Sequence, residues 1–159
     1  MIYENYMCRA SRTLLIGAGP SSAQLIRETS AYCDAIVAAD GGFEAAKQAG
    51  VQVALVVGDM DSQQALPAGQ AAAHITDQET TDFQKCLAVC DADVFLGVGF
   101  LGGRLDHQLA GFSALLNEPR PVVLIDEAQL VFVVPQNFSI DLEAETPVGF
   151  YPMVPIEAS

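Results

Sequence analysis

Thr13-Leu14-Leu15-Ile16-Gly17-Ala18-Gly19-Pro20-Ser21-Ser22 and Ala35-Ile36-Val37-Ala38-Ala39-Asp40-Gly41-Gly42 decide the fold of this chain. Each begins as an apolar run and ends in glycines. No polar residue interrupts 14–16 or 35–39. A strand with one wet face would alternate, so these strands must be covered on both sides. Residues 21–32 lie between them and read as a helix, with Pro20 favouring the first turn. Strand, helix, strand is the crossover unit of a parallel sheet.

The alternation continues outward in the same form. A helix after Gly42 runs through Ala49 and stops at Gly50. Strands are expected over 53–57 and, shorter, over 72–76. Thr80 or Thr81 then caps a helix reaching about Val89, followed by a strand over 94–98 and a helix over 106–116. The fold class is therefore α/β, a mostly parallel sheet with helices on both faces. After Pro119 the pattern changes: apolar runs at 122–126, 130–134 and 138–142 follow one another with no helix between them. That predicts a short antiparallel β segment. The chain divides into an α/β domain over 1–119 and a partial second β domain over 120–159.

Composition narrows the function classes. A chain of 159 residues, 51% hydrophobic and 17% charged, is globular and long enough for a core. A net charge of −13 with seven Lys and Arg argues against nucleic acid and anionic membranes as partners. Glu118, Asp141, Glu143, Glu145 and Glu157 read as solubilising surface charge. Four cysteines without a C-x-x-C pair, beside two histidines, argue against zinc. Cys86 and Cys90, four apart on an expected helix, read as small buried thiols. Residues 1–11 hold no apolar signal core, and no run approaches the roughly 20 residues of a membrane span. A reducing cytoplasm is the expected compartment.

Solubility does not explain aspartates placed beside glycines at strand ends. Four such segments occur: 39–42, 58–62, 77–82 and 102–107. If the strands are parallel, their carboxyl ends share one edge and six aspartates gather there near Arg104. Like charges at that density call for a bound cation, hence a divalent metal with a polyphosphate. In an extended stretch residues i and i+2 point to one side, so Asp59 and Asp61 would chelate together. Hard oxygen donors favour Mg²⁺. A surface turn would use the same residue types.

The other segments carry two readings each. Asp82 is either a helix cap favoured by the dipole or a metal ligand, and Lys85 either its ion-pair partner or a phosphate contact. Arg104, next to Gly102 and Gly103, suits bidentate phosphate binding but equally balances surface charge. His107 is catalytic or merely capping. The turn at 17–22 resembles a dinucleotide fingerprint with Ser22 at the third glycine position, and Asp40 stands where a ribose-binding acid would. It serves equally as a phosphate-facing turn at a helix amino end.

Taken in order, Ala39-Asp40-Gly41-Gly42, Gly58-Asp59-Met60-Asp61-Ser62, the 77–87 stretch with Thr81-Asp82-Phe83 and Lys85, and Gly102-Gly103-Arg104-Leu105-Asp106-His107 resemble the thiamin pyrophosphokinase family. The resemblance covers roughly 13–116. It implies a catalytic α/β domain that binds ATP and Mg²⁺ and transfers pyrophosphate to the thiamin hydroxyl. It assigns Asp40, Asp59, Asp61 and Asp82 to metal and phosphate handling, with metal held by Asp59, Asp61 and Asp82. Arg104 and Asp106 join them as catalytic residues, and Gln78 as a substrate-side contact. Gly41, Gly42, Ser62, Thr81, Lys85, Gly102, Gly103 and His107 would line the nucleotide. It also implies a homodimer whose β-sandwich domains help form the thiamin pocket. Two departures stand out: only the first strands of that sandwich are present, and Gly111 replaces a frequent Asn. A nucleotide-binding module without catalysis, a dinucleotide oxidoreductase and a pyrophosphokinase for another heterocyclic alcohol are the competing readings.

Overall fold

The computed structural model describes residues 8–60 and 66–154. Its centre is a seven-stranded sheet in the order β4-β3-β2-β1-β5-β6-β7. The strands are β1 Cys8–Ile16, β2 Ala35–Ala39, β3 Leu55–Gly58, β4 Ala72–His74, β5 Cys90–Val98, β6 Val122–Ile125 and β7 Leu130–Phe132. All neighbours are parallel except β6 and β7. Four helices connect them: α1 Ala23–Ser30, α2 Phe43–Ala49, α3 Asp82–Val89 and α4 Leu105–Asn117.

The uninterrupted apolar strands fill two core layers, as a sheet covered on both faces requires. Leu14, Ile16, Ala38 and Val56 face Ile26, Phe43 and Ala46 from α1 and α2. Leu15, Val37, Leu55 and Val57 face Phe83, Cys86 and Leu87 of α3 and Ala114 and Leu115 of α4. Leu14, Leu15, Ile16 and Phe95 are wholly buried, each contributing about 1.5–3 kcal/mol of burial free energy.

β1 and β5 begin earlier than their apolar runs suggest. Cys8 pairs with Cys90, Arg9 with Asp91 and Ala10 with Ala92, but Ser11 and Asp93 drop out of the register. At this step side-chain facing slips by one in both strands. Cys8 and Leu15, seven apart, share one core layer, and so do Ala92 and Phe95, three apart. A regular strand sends residues an odd number apart to opposite faces. Both strands therefore kink together, which lets polar residues occupy paired backbone.

α3 passes into β5 with no loop, since Val89 ends the helix and Cys90 opens the strand. Arg120 closes that junction. Its guanidinium donates to Cys90 O at 2.7 Å and Leu87 O at 2.9 Å, and lies 4.7 Å from the Phe95 ring centre. Glu118 accepts from Arg120 Nε at 2.6 Å. A partly buried cation of this kind is stabilised by such a partner.

Four expectations change. Glu118 is not a solubilising surface charge, because its side chain is 11% exposed and paired with Arg120. Cys90 belongs to a strand rather than a helix, although it and Cys86 are buried as thiols. The run at 122–126 supplies a further parallel strand, so the antiparallel part is confined to β7. The run at 138–142 forms no strand. It meets the rest of the chain at Phe138, whose ring lies 5.2 Å from that of Phe132. A strand needs a neighbour for its backbone groups, and an apolar run supplies none by itself.

Candidate active site

The carboxyl ends of β1, β2, β3, β4 and β5 do share one edge, because all five strands are parallel. Such an edge is where ligands bind in open α/β sheets. β1 leaves the sheet through Gly17, whose N–H donates to Val98 O at 2.8 Å, and Gly19, whose N–H donates to Gly99 O at 2.8 Å. A methyl group on Gly17 would lie 2.4 Å from Gly99 O, so only glycine allows the two loops to meet.

Asp40 opens a 3-10 turn, Asp40–Gly42, at the end of β2. The turn presses on the end of β1 so closely that a Cβ on Gly42 would sit 2.2 Å from Ile16 O. On the other side, a Cβ on Gly58 would sit 2.7 Å from Asp40 Cβ. The two glycines thus hold Asp40 almost buried, 8% exposed, beside the start of the 58–60 segment.

Asp59 follows Gly58 and is tied to the next loop, since Gln78 Nε2 donates to Asp59 Oδ2 at 3.2 Å. The same amide donates to Thr76 O at 3.4 Å. Met60 adopts a left-handed φ of 57°, so the backbone is not extended at that residue. The extended backbone that the i, i+2 argument assumes is therefore not present at Met60. Asp61 and Ser62 lie outside the described residues.

Past β4 the chain forms a tight acidic turn. Asp77 accepts from Glu79 N at 2.9 Å and Thr80 Oγ1 at 2.6 Å, and the Thr80 hydroxyl above all holds its carboxyl below the usual range. Thr81 then caps α3 in a capping box. Its Oγ1 accepts from Gln84 N at 3.3 Å, while its own N–H donates to Gln84 Oε1 at 2.9 Å. Thr81 is thereby committed to the helix start. Asp82 stands in the first helical turn, half exposed, with Lys85 Nζ 3.4 Å from Oδ1. Lys85 is 5% exposed and is buried beside that carboxylate.

The last group stands apart. Gly102 and Gly103, at φ of 74° and 72°, turn the chain so that Arg104 precedes α4. Arg104 Nε donates to Asp106 Oδ1 at 3.1 Å, and Nη2 donates to Oδ2. This bidentate pair holds Asp106 below the ordinary carboxylate range and raises Arg104. Both side chains are exposed, as is His107.

The predicted residues thus form two groups. Asp40 ends β2 against Gly58, Asp59 follows β3 and is hydrogen-bonded to Gln78 past β4, and Asp82 and Lys85 stand on α3, which packs on β2 and β3. Arg104, Asp106 and His107 follow β5, three strand spacings from β3, or about 14 Å. Among the described residues no group of three His, Cys, Asp or Glu is close enough to hold a metal ion. Mg²⁺ asks for less, because it keeps several waters and takes one or two carboxylates with phosphate oxygens. The carboxylates here fit that chemistry.

One residue escaped sequence reasoning. Ser22 N, at the amino end of α1, donates to Glu127 Oε1 at 2.7 Å. The turn at 17–22 is thus faced by the chain's own carboxylate, from the loop between β6 and β7. Asp126 and Glu127 follow a strand just as Asp40 and Asp59 do, and that was the available signal.

Residues 26–124 match the family model of the thiamin pyrophosphokinase catalytic domain. The chain belongs to this family. Thiamin pyrophosphokinase 1 of Caenorhabditis elegans is 29% identical over 118 residues, 63% of this chain and 49% of that protein. The chain therefore spans about half the length of that curated relative. Thiamin pyrophosphokinase from Candida albicans shares the fold at a TM-score of 0.64, with 17% identity over 79% of this chain and 63% of that one. The crystal structure from Geobacillus thermodenitrificans gives 0.58, with 24% identity over 72% and 59%. The matched family segment includes every described residue of both site groups, and Glu127 lies just beyond it.

Proposed function

We propose that the chain takes part in transferring pyrophosphate from ATP to the hydroxyl of thiamin, giving thiamin diphosphate and AMP. What supports this reading is the match of residues 26–124 to the family's catalytic domain, together with Asp40 and the hydrogen-bonded Asp59 and Gln78 at the carboxyl edge. In the transfer the thiamin oxygen forms a bond to the β-phosphorus and the bond from that phosphorus to the α-phosphate oxygen breaks. Positioning and charge stabilisation do most of the work in phosphoryl chemistry.

Asp59 and Asp82, with Asp61, would hold Mg²⁺, which when bound neutralises phosphate charge and orients the β-phosphorus. Asp40, fixed between two glycines, supports the metal-binding carboxylates or accepts the hydroxyl proton. Gln78 orients Asp59 through the 3.2 Å hydrogen bond. Arg104 leaves Asp106 to meet a phosphate, exchanging one bidentate partner for another. Gly41, Gly42, Gly102 and Gly103 let the backbone approach the nucleotide.

We further propose that residues 1–119 carry the nucleotide half and that 120–159 open a second β unit, joined through β6 and β7. Homodimer formation and a cytoplasmic location belong to the same reading. No helix of the described residues is long and apolar enough to cross a membrane. A dinucleotide at 17–22 is disfavoured, since Glu127 faces the amino end that a pyrophosphate would need. AMP release from ATP, Mg²⁺ and thiamin is the deciding assay, with each component omitted in turn. ATP binding without thiamin-dependent AMP would reduce the chain to a nucleotide-binding module.

A further inference from the structure

The loop between β6 and β7 is built to present one side chain. Asp126 Oδ1 accepts from Ala128 N at 2.7 Å and Gln129 N at 2.9 Å, while Oδ2 accepts from Gln129 Nε2 at 2.9 Å. Asp126 N in turn donates to Gln129 O at 3.1 Å, closing the hairpin. Glu127, left over from this network, reaches Ser22 N. The first turn of α1 contains no acidic side chain of its own, so Glu127 supplies the negative charge its amino end favours. That hydrogen bond holds the Glu127 carboxyl below its ordinary range, against a smaller opposing push from Asp126.

The turn that Glu127 holds is the floor of the arginine loop. Gly17 and Gly19 bond to Val98 O and Gly99 O. Positions for Cβ atoms on Gly102 and Gly103 lie 3.7 Å and 3.8 Å from the Pro20 ring. Arg104 comes next in the chain. We propose that Glu127 is a positioning residue, holding the 17–22 turn and, through it, the 99–104 loop that presents Arg104 to phosphate. This rests on the proposed function only for what Arg104 does, while the mechanical link stands on the geometry.

Two measurements on the full chain test it separately. In NMR, Glu127→Ala should move both the Ser22 amide and the Arg104 Nε–Hε signals. Glu127→Gln, which keeps an acceptor oxygen, should leave Arg104 near its wild-type position. An Arg104 signal in Glu127→Ala that coincides with wild type overturns the proposal, whatever happens at Ser22. In the AMP-release assay, Glu127→Ala should lower kcat roughly three- to tenfold with the thiamin KM little changed, and Glu127→Gln should restore most of it. Equal kcat in wild type and Glu127→Ala also overturns it. A wild-type chain without turnover strikes the proposed function instead, and the Arg104 signal then decides the positioning role.

Discussion

Around Asp40 there is no room for one methyl group, whereas beyond Phe132 large apolar side chains stand in water. Gly42 and Gly58 touch neighbouring backbone and Asp40 so closely that any Cβ would collide. Phe150 and Tyr151, by contrast, are 81% and 83% exposed, and Ile140, Leu142 and Val148 are about half exposed. The first region is specified by its own neighbours within the sheet. The second carries the composition of a core while its large apolar side chains stay exposed.

Substitutions of one kind in the two regions should separate sharply. Phe95→Ala removes a wholly buried ring and its contact with Arg120, and should cost about 3–5 kcal/mol in chemical denaturation. A loss below 1 kcal/mol would mean that the sheet centre is far looser than its packing. Asp59→Asn keeps the size of the side chain but removes its charge. Thiamin-dependent AMP release should fall by about a hundredfold or more while the far-ultraviolet spectrum is unchanged. Wild-type turnover would take Asp59 out of metal handling.

Gly42→Ala tests the crowding itself. Overpacking of this kind should lower stability by about 1–3 kcal/mol, measured by thermal unfolding. The Glu118–Arg120 pair gives a subtler, pH-dependent effect. Burial works against the Glu118 charge, yet the Arg120 hydrogen bonds outweigh it and leave the carboxyl below its ordinary value. A lowered folded value means that the pair stabilises above the unfolded carboxylate value, about 4.3, and that this is lost as pH falls further. Glu118→Gln should flatten that part of the acid stability curve, and an unchanged slope would assign it to other carboxylates. Smallest of all, Phe150→Ser should change stability by no more than about 0.5 kcal/mol while reducing self-association in light scattering. A large loss of stability there would show that the segment beyond β7 is packed after all.

Much of this molecule was readable in one dimension, for reasons that follow its geometry. Strands buried on both faces announce themselves as unbroken apolar runs, so the ends of β1, β2 and β3 lie within one residue of the expected positions, with Asp40 and Asp59 just after β2 and β3. The polar first halves of β1 and β5 were hidden, because backbone pairing there carries no hydrophobic pattern. The run at 138–142 misled for the opposite reason, having pattern without partner. Met60 shows why local spacing rules are fragile: one left-handed residue removes the extended backbone that alternation assumes. The Ser22–Glu127 contact spans 105 residues, beyond the reach of any local rule.

The junction between α3 and β5 carries a mechanical corollary. A helix that flows into its next strand without slack, and is riveted there by Arg120, cannot pivot separately from the sheet. Its far end, some 12 Å away at about 1.5 Å per residue, carries Asp82. Asp82 is therefore mounted on the rigid frame, whereas the segment bearing Arg104 turns on the left-handed Gly102 and Gly103.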